Sequence, residues 1–231
     1  MSIASMKIGI MGTGIVGRTH AARLAGLGHD VMVGTGDPAV TLERKGSDAM
    51  GNPPYQEWQK GQPKVKLGTF AQAAAHGELV IDALSGQAAV KVLSSCRQAL
   101  AGKVLIDIAN PLDFSKGMPP TLSICNTDSL GEQVQRALPD SKVVKTLNTL
   151  NAFLQVDPSL LAGAEHDIFI CGNDASARQR VSGMLRDWYG WRSIIDLGDI
   201  TGARGTEMLL PVWLRLWGAL KTPMFNFKIA K

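Results

Sequence analysis

Short runs of valine, isoleucine and leucine recur along the chain between longer stretches whose apolar positions return every three or four residues. That alternation is the pattern of a parallel sheet built from strand–helix–strand crossovers. The runs predict strands at residues 7–11, 31–34, 65–67, 79–84, 104–108 and 143–146. Several are apolar throughout rather than at every second position, as in strands covered by helices on both faces. The stretches between them predict helices at 15–27, 38–45, 72–75, 87–100 and 130–138. Asp37 is placed to cap the second of these, with Pro38 suited to its first turn and Gly46 to its exit.

Beyond Thr146 the rhythm changes. A strand at 167–171, a helix at 175–188, a strand at 193–196 and a helix at 203–220 predict a small C-terminal α/β unit. The expected organisation is an α/β fold, with a doubly wound parallel sheet in residues 1–150 and the small α/β domain in 151–231. Residues 51–63 hold three prolines, two glycines, Tyr55 and Trp58. They read as an inserted loop, packed on the surface or serving as a lid.

With 231 residues and 45% hydrophobic content, the chain can bury a core without covalent staples. The net charge is +4, but the 24 basic residues are scattered and run no longer than pairs such as Arg44-Lys45. This excludes a nucleic-acid groove and leaves anionic phosphates as partners. Cys96, Cys125 and Cys171 lie far apart and form no cluster with metal-ligand spacing, so a reducing, cytoplasmic setting and no structural metal are expected. Neither a signal peptide nor a membrane span is expected. The most apolar late stretch, 208–220, is interrupted by Pro211 and Arg215 and is too short to span a bilayer. The helix expected at 203–220 would bury its apolar face against its own domain or in a homodimer.

The most informative motif is Gly12-Thr13-Gly14-Ile15-Val16-Gly17, which follows the first strand and opens the first helix. Gly12 permits the tight turn, Gly14 lets the backbone approach a pyrophosphate, and Gly17 allows close helix–strand packing. The N–H groups of Ile15 and Val16 then face the phosphate at the positive end of the helix dipole. In this strand–turn–helix context the motif predicts a Rossmann-type dinucleotide-binding sheet. An acid at the end of the second strand would bind a ribose 2′-hydroxyl, and an arginine would accommodate a 2′-phosphate. The chain has Thr35, Gly36 and Asp37 there, which leaves NADP and NAD both open. Thr13 and Thr35 can donate hydroxyls to a phosphate that Arg44 or Lys45 might reach, and Asp37 is better explained as the cap of its own helix.

These residues, with several further segments, resemble the NADP oxidoreductases that use the deazaflavin coenzyme F420, and the related reductase domains of six-transmembrane metalloreductases. The resemblance is most specific at Val144-Lys145-Thr146-Leu147-Asn148-Thr149-Leu150-Asn151-Ala152. It continues at Ile170-Cys171-Gly172-Asn173-Asp174, at Ala177-Arg178, at Ile195-Asp196-Leu197-Gly198 and at Ala203-Arg204. It implies NADP as cofactor and a flavin or deazaflavin as second redox partner. It implies that Gly12 to Gly17 hold the pyrophosphate, with Thr13 and Thr35 near the adenosine phosphate. Leu84 and Ser85, and Asn110 and Pro111, would pass over the ribose and nicotinamide. Asn148, Leu150, Asn151 and Ala152 would line the place where nicotinamide meets the second partner. Two positions depart from the family: Gly36 stands where members usually carry an arginine, and Asn148 where the deazaflavin enzyme has a histidine.

Hydride transfer between a nicotinamide and a flavin-like ring needs no protein nucleophile, because the cofactors carry the chemistry and the protein orients them. No catalytic acid or base is assigned. None of His20, His29, His76 and His166 sits at the carboxyl end of a strand, and they read as structural or solvent-facing, Asp107 as pairing inside the sheet, and Trp188, Trp191, Trp213 and Trp217 as packing. Two other readings share the N-terminal domain: a dinucleotide-sensing module without turnover, and an imine reductase of the pyrroline-5-carboxylate reductase type.

Overall fold

The strands expected from the apolar runs form one sheet of eight. The computed structural model describes residues 4–48 and 51–231. Ten strands follow in chain order: β1 (Lys7–Met11), β2 (Asp30–Thr35), β3 (Lys66–Thr69), β4 (Leu79–Asp82), β5 (Val104–Asp107), β6 (Leu112–Asp113), β7 (Thr121–Leu122), β8 (Lys142–Thr146), β9 (Asp167–Cys171) and β10 (Ser193–Asp196). The main sheet has the order β10-β9-β8-β5-β4-β1-β2-β3, while β6 and β7 pair as a separate two-stranded ribbon. From β3 to β8 every neighbour is parallel, so the sequence winds outward from β1 in one direction and then outward from β4 in the other. This is the doubly wound order whose ligand crevice lies where the direction of winding reverses, outside the carboxyl ends of β1 and β4.

The two strands expected in the small C-terminal unit join the edge of the main sheet. β9 pairs antiparallel with β8 through Lys145↔Cys171 and Thr146↔Ile170, and β10 runs parallel to β9. The residues after 150 therefore extend the same sheet with reversed direction.

The helices are α1 (Ile15–Gly26), α2 (Pro38–Glu43), α3 (Tyr55–Lys60), α4 (Phe70–His76), α5 (Gly86–Ser95), α6 (Arg97–Leu100), α7 (Leu130–Ala137), α8 (Ala152–Val156), α9 (Ala175–Met184), α10 (Gly202–Met208) and α11 (Leu210–Leu220). Asp37 caps α2, accepting from the N–H groups of Ala39 at 2.8 Å and Val40 at 3.2 Å. Thr69 and Gln72 form a reciprocal capping box on α4. The stretch read as a loop holds α3, which follows Pro54 and buries Tyr55. Two expected helices are broken: 87–100 at Cys96, and 203–220 at Leu209 ahead of Pro211. A third, 175–188, ends as an α-helix at Met184 and continues as one wide π turn over Leu185–Tyr189, closed by Gly190. No helix among the described residues is long and apolar enough to cross a membrane.

The two faces of the sheet bury separate cores. Ile8, Ile10, Val33, Ile81 and Ile106 pack under α1, α8 and α9 with Trp188, Tyr189 and Trp191. Met11, Val80, Leu105 and Val143 pack on the opposite face with Ala73, Leu93, Leu130 and Val134. Each large side chain so buried contributes about 1.5–3 kcal/mol of transfer free energy, which is why the apolar runs predicted these strands well.

Candidate functional site

The carboxyl ends of β1, β2, β4, β5 and β8 open onto one edge, and each carries residues singled out from the sequence. After β1 the chain turns sharply at Gly12, whose φ of +115° favours glycine. At Gly17 a Cβ would lie 2.2 Å from the Gly12 carbonyl oxygen, so α1 can approach the turn only without a side chain there. Gly14 differs. Its backbone is extended (φ −70°, ψ 177°), and a Cβ built on it meets no atom within 4 Å. The protein gives Gly14 no packing role, so the space above it is free for a ligand at the N-terminus of α1. There the first-turn N–H groups of Ile15 and Val16 lack helical partners.

After β2 the Thr35 and Thr41 hydroxyls lie 2.8 Å apart, and Thr41 also donates to the Asp37 carbonyl at 2.8 Å. Gly36 follows, where a Cβ would meet only the edge of the Phe70 ring at 3.9 Å. Arg18 of α1 donates to the Thr13 carbonyl at 2.7 Å and also to the Pro53 carbonyl, and its guanidinium lies 5.5 Å from the centre of the Tyr55 ring. The segment between α2 and α3 is thereby fastened to the glycine turn.

After β4, Leu84 and Ser85 lead into α5, and Gly86 packs so closely on the next loop that a Cβ would lie 2.1 Å from the Asn110 carbonyl oxygen. The loops after β5 and β8 are joined by a reciprocal amide pair. Asn110 donates to the Asn148 backbone carbonyl at 2.8 Å, and Asn148 donates to the Asn110 side-chain oxygen at 3.0 Å. Asn151 uses its amide oxygen to cap α8 and its amide N–H to hold the Pro223 carbonyl at 2.6 Å. Its side chain therefore shapes the loop, and Leu150 and Ala152 are buried beside it. Pro111 continues into the β6–β7 ribbon, whose far end Ser123 bonds back to the Pro111 carbonyl at 2.8 Å.

Two groups at this edge escaped the sequence reading. Gln155 donates to the carbonyls of Leu147 at 2.9 Å and Leu150 at 3.2 Å, holding Leu147 in a left-handed conformation (φ +59°). Its oxygen lies 3.0 Å from His20 Nε2, and the other ring nitrogen of His20 lies 2.7 Å from the Tyr189 hydroxyl. Burial pushes His20 down to about 4, so at neutral pH it is an uncharged link between α1 and the loop after β8. His166 is likewise buried and bonded to the Pro158 carbonyl, in keeping with structural roles for these histidines.

The second group is a row of buried charges. Register places Asp82, Asp107 and Lys145 side by side at the ends of β4, β5 and β8, on one face of the sheet. Lys145 Nζ lies 3.1 Å from Asp107 and 2.9 Å from Glu207 of α10, and donates to the Ala109 carbonyl. Glu207 also accepts from the first N–H groups of α7, Leu130 at 2.8 Å and Gly131 at 3.0 Å. Burial alone would lower the Lys145 pKa, but Asp107 and Glu207 outweigh it and hold the ammonium above its usual range. Asp107 thus pairs across the sheet end. Finding this needs the strand register, which local sequence does not contain.

Asp82 accepts from the Leu84 N–H at 3.0 Å, and its second oxygen has no partner among the described residues. Burial, and then the neighbouring Asp107, push its carboxyl up to about 8. An unfolded aspartate ionises near pH 4, so between about pH 4 and 8 the folded chain holds one more proton than the unfolded chain. The stability contribution of Asp82 therefore falls as pH rises through that window and levels off above it. Asp82→Asn, which cannot ionise, is expected to flatten this fall in urea unfolding, gaining stability over the parent at pH 8 and little at pH 5. Superimposable pH profiles for the two proteins would rule the assignment out.

A doubly wound sheet with a glycine turn at its switch point, open above Gly14, defines a Rossmann-type dinucleotide-binding protein. Within that class the family is set by comparison, and the chain belongs to the coenzyme F420-dependent NADP oxidoreductases. The family model matches residues 7–111. The F420-dependent NADP reductase of Methanothermobacter marburgensis is 30% identical over 217 residues, covering 91% of this chain and 92% of its own length. The crystal structure of a protein from Arthrobacter sp. FB24 shows 56% sequence identity. It superposes with a TM-score of 0.93 over 98% of this chain and 100% of its own. Metalloreductase STEAP3 of Rattus norvegicus is 29% identical over 90% of this chain, which spans 38% of that longer protein.

Proposed function

We propose that the protein binds NADP(H) along the carboxyl edge of the sheet and exchanges hydride between its nicotinamide and a flavin or deazaflavin ring. The observation that carries the reading is Gly14, left open at the switch point with helical N–H donors beside it. Gly12 to Gly17, with Ile15 and Val16 donating, would hold the pyrophosphate. Leu84 and Ser85 on one side, and Asn110 and Pro111 on the other, would flank the ribose and nicotinamide. Asn148, Leu150 and Ala152 would close the far wall, with Asn151 shaping that wall as a cap rather than reaching into it. The nicotinamide would supply the hydride. The chain's own part is to fix the ring plane and exclude water, which accounts for the absence of an assigned acid or base.

A cleft of about 560 Å³ lies between the β6–β7 segment and α11, lined by Met118, Pro119, Leu214 and Trp217 with Arg215 and Lys221 at its border. Its walls are tied to the nicotinamide end, one through Pro111 and the other through the Asn151–Pro223 bond. Trp217, which the sequence marked only as packing, faces this cleft. An apolar floor with two cations suits a planar ring bearing an anionic tail. The test is to mix the protein with NADPH and, separately, F420, FMN and FAD while following nicotinamide absorbance. Oxidation with one of them is the expected result and names the acceptor. Tight binding of NADPH without oxidation by any of the three would refute the hydride-transfer reading in favour of a sensor.

A further inference from the structure

The adenosine end of the site is built unusually. Beyond β2, Asp37 turns its Oδ1 inward to the cap of α2. Gly36, just before it, supplies no cation to a 2′-phosphate. Beside the turn lies a pocket of about 280 Å³, walled by Thr13, Thr41, Pro54 and Tyr55 and bordered by Arg44 and Lys45. Arg18 also lines it but is committed to the Thr13 and Pro53 carbonyls. Asp48, the acid at this pocket, receives both the backbone and side-chain N–H groups of Asn52 at 2.9–3.1 Å. Arg44 and Lys45 are exposed and form no ion pair among the described residues. The pocket is thus a cationic recess opening directly onto the glycine turn. Its far wall is kept in place by the Arg18 fastening.

We infer that Arg44 and Lys45, working with the Thr13 hydroxyl, read the 2′-phosphate of NADP in this pocket and set the preference for NADPH over NADH. The phosphate would stand off the exit of α2 rather than at its start, and Gly36 would give it passage. Two long cations at the mouth of a hydroxyl-bearing recess suit a dianionic phosphate and give an unphosphorylated ribose nothing to bind.

This inference rests on the NADP reading given above, and the test separates the two. NADPH and NADH are titrated by nicotinamide fluorescence against the parent, the double variant Arg44→Ala/Lys45→Ala, and that variant with Gly36→Arg added. The parent should prefer NADPH. The double variant should lose about 10- to 100-fold in NADPH affinity, the value of charge-assisted hydrogen bonds to phosphate, with NADH changed less than about 2-fold. An arginine at position 36 should restore part of the preference by supplying a cation from the end of β2. A double variant that keeps the parent's preference, or loses both cofactors alike, overturns the assignment of Arg44 and Lys45 while leaving the NADP reading intact. A parent without preference for NADPH overturns both.

Discussion

Replacing Lys145 with methionine is expected to lower the free energy of unfolding at pH 7 by about 3–5 kcal/mol, the cost of leaving buried carboxylates without their counter-ion. Asp107 and Glu207 both lie within 3.1 Å of the ammonium, and all three side chains are sealed from water. Methionine fills the volume but supplies no charge and no donor to the Ala109 carbonyl. For a chain of this size the loss corresponds to roughly 10 °C in melting temperature. A variant as stable as the parent at pH 7 in urea unfolding would show that the cluster does not hold the sheet end together. Because Glu207 also holds the first N–H groups of α7, the damage should reach the junction between α10 and α7, and hydrogen exchange at Leu130 and Gly131 should quicken.

Gly14→Ala should do the opposite, leaving the fold intact and removing the ligand. The backbone there is one that alanine adopts freely, and no protein atom lies within 4 Å of the new methyl group. Two small stability effects oppose each other: alanine is a poorer N-cap than glycine, and it reduces the entropy of the unfolded chain. Stability should stay within about 1 kcal/mol of the parent. Affinity for NADPH should fall at least about 100-fold, a loss of about 2.7 kcal/mol, because the methyl group takes the space the pyrophosphate needs. Gly17→Ala is the control, since its methyl group would collide with the Gly12 carbonyl and should destabilise the fold itself. Undiminished NADPH binding by Gly14→Ala would place the dinucleotide elsewhere.

Much of the architecture is legible in the chain because its strands are buried on both faces, and continuous apolar runs such as Leu79–Asp82 and Val104–Asp107 report burial directly. The glycine turn is legible for a related reason: Gly12 and Gly17 answer local steric demands, and Gly14 keeps its spacing between them while leaving open space above it. Strand direction is not local. Asp167–Cys171 looks like any other apolar strand, and only pairing with β8 reveals that it runs backwards. Helix α3 is hidden by the prolines on either side of it, because six residues with little propensity to nucleate are held by burial of Tyr55 beside Arg18, a contact with another element. The charged row is hidden for the same reason at greater range. Asp82, Asp107 and Lys145 meet only through strand register, and Glu207 joins them from another helix. The candidate positions after each strand could be named from sequence, but the use of Asn151 as a cap and of Gln155 as the support for Leu147 depends on the fold around them.

The reciprocal amides of Asn110 and Asn148 carry no net charge, so a nicotinamide bound beside them as proposed would be held by contacts indifferent to dissolved ions. The proposed adenosine end, bordered by the exposed Arg44 and Lys45, would depend on attraction that a physiological ionic strength screens beyond about 8 Å. Raising the salt should therefore loosen the grip on the phosphate while leaving the geometry of the reacting ring unchanged, so that turnover at saturating cofactor outlasts affinity. An enzyme arranged in this way can tune how much cofactor it needs to its ionic surroundings without altering how fast it works once loaded.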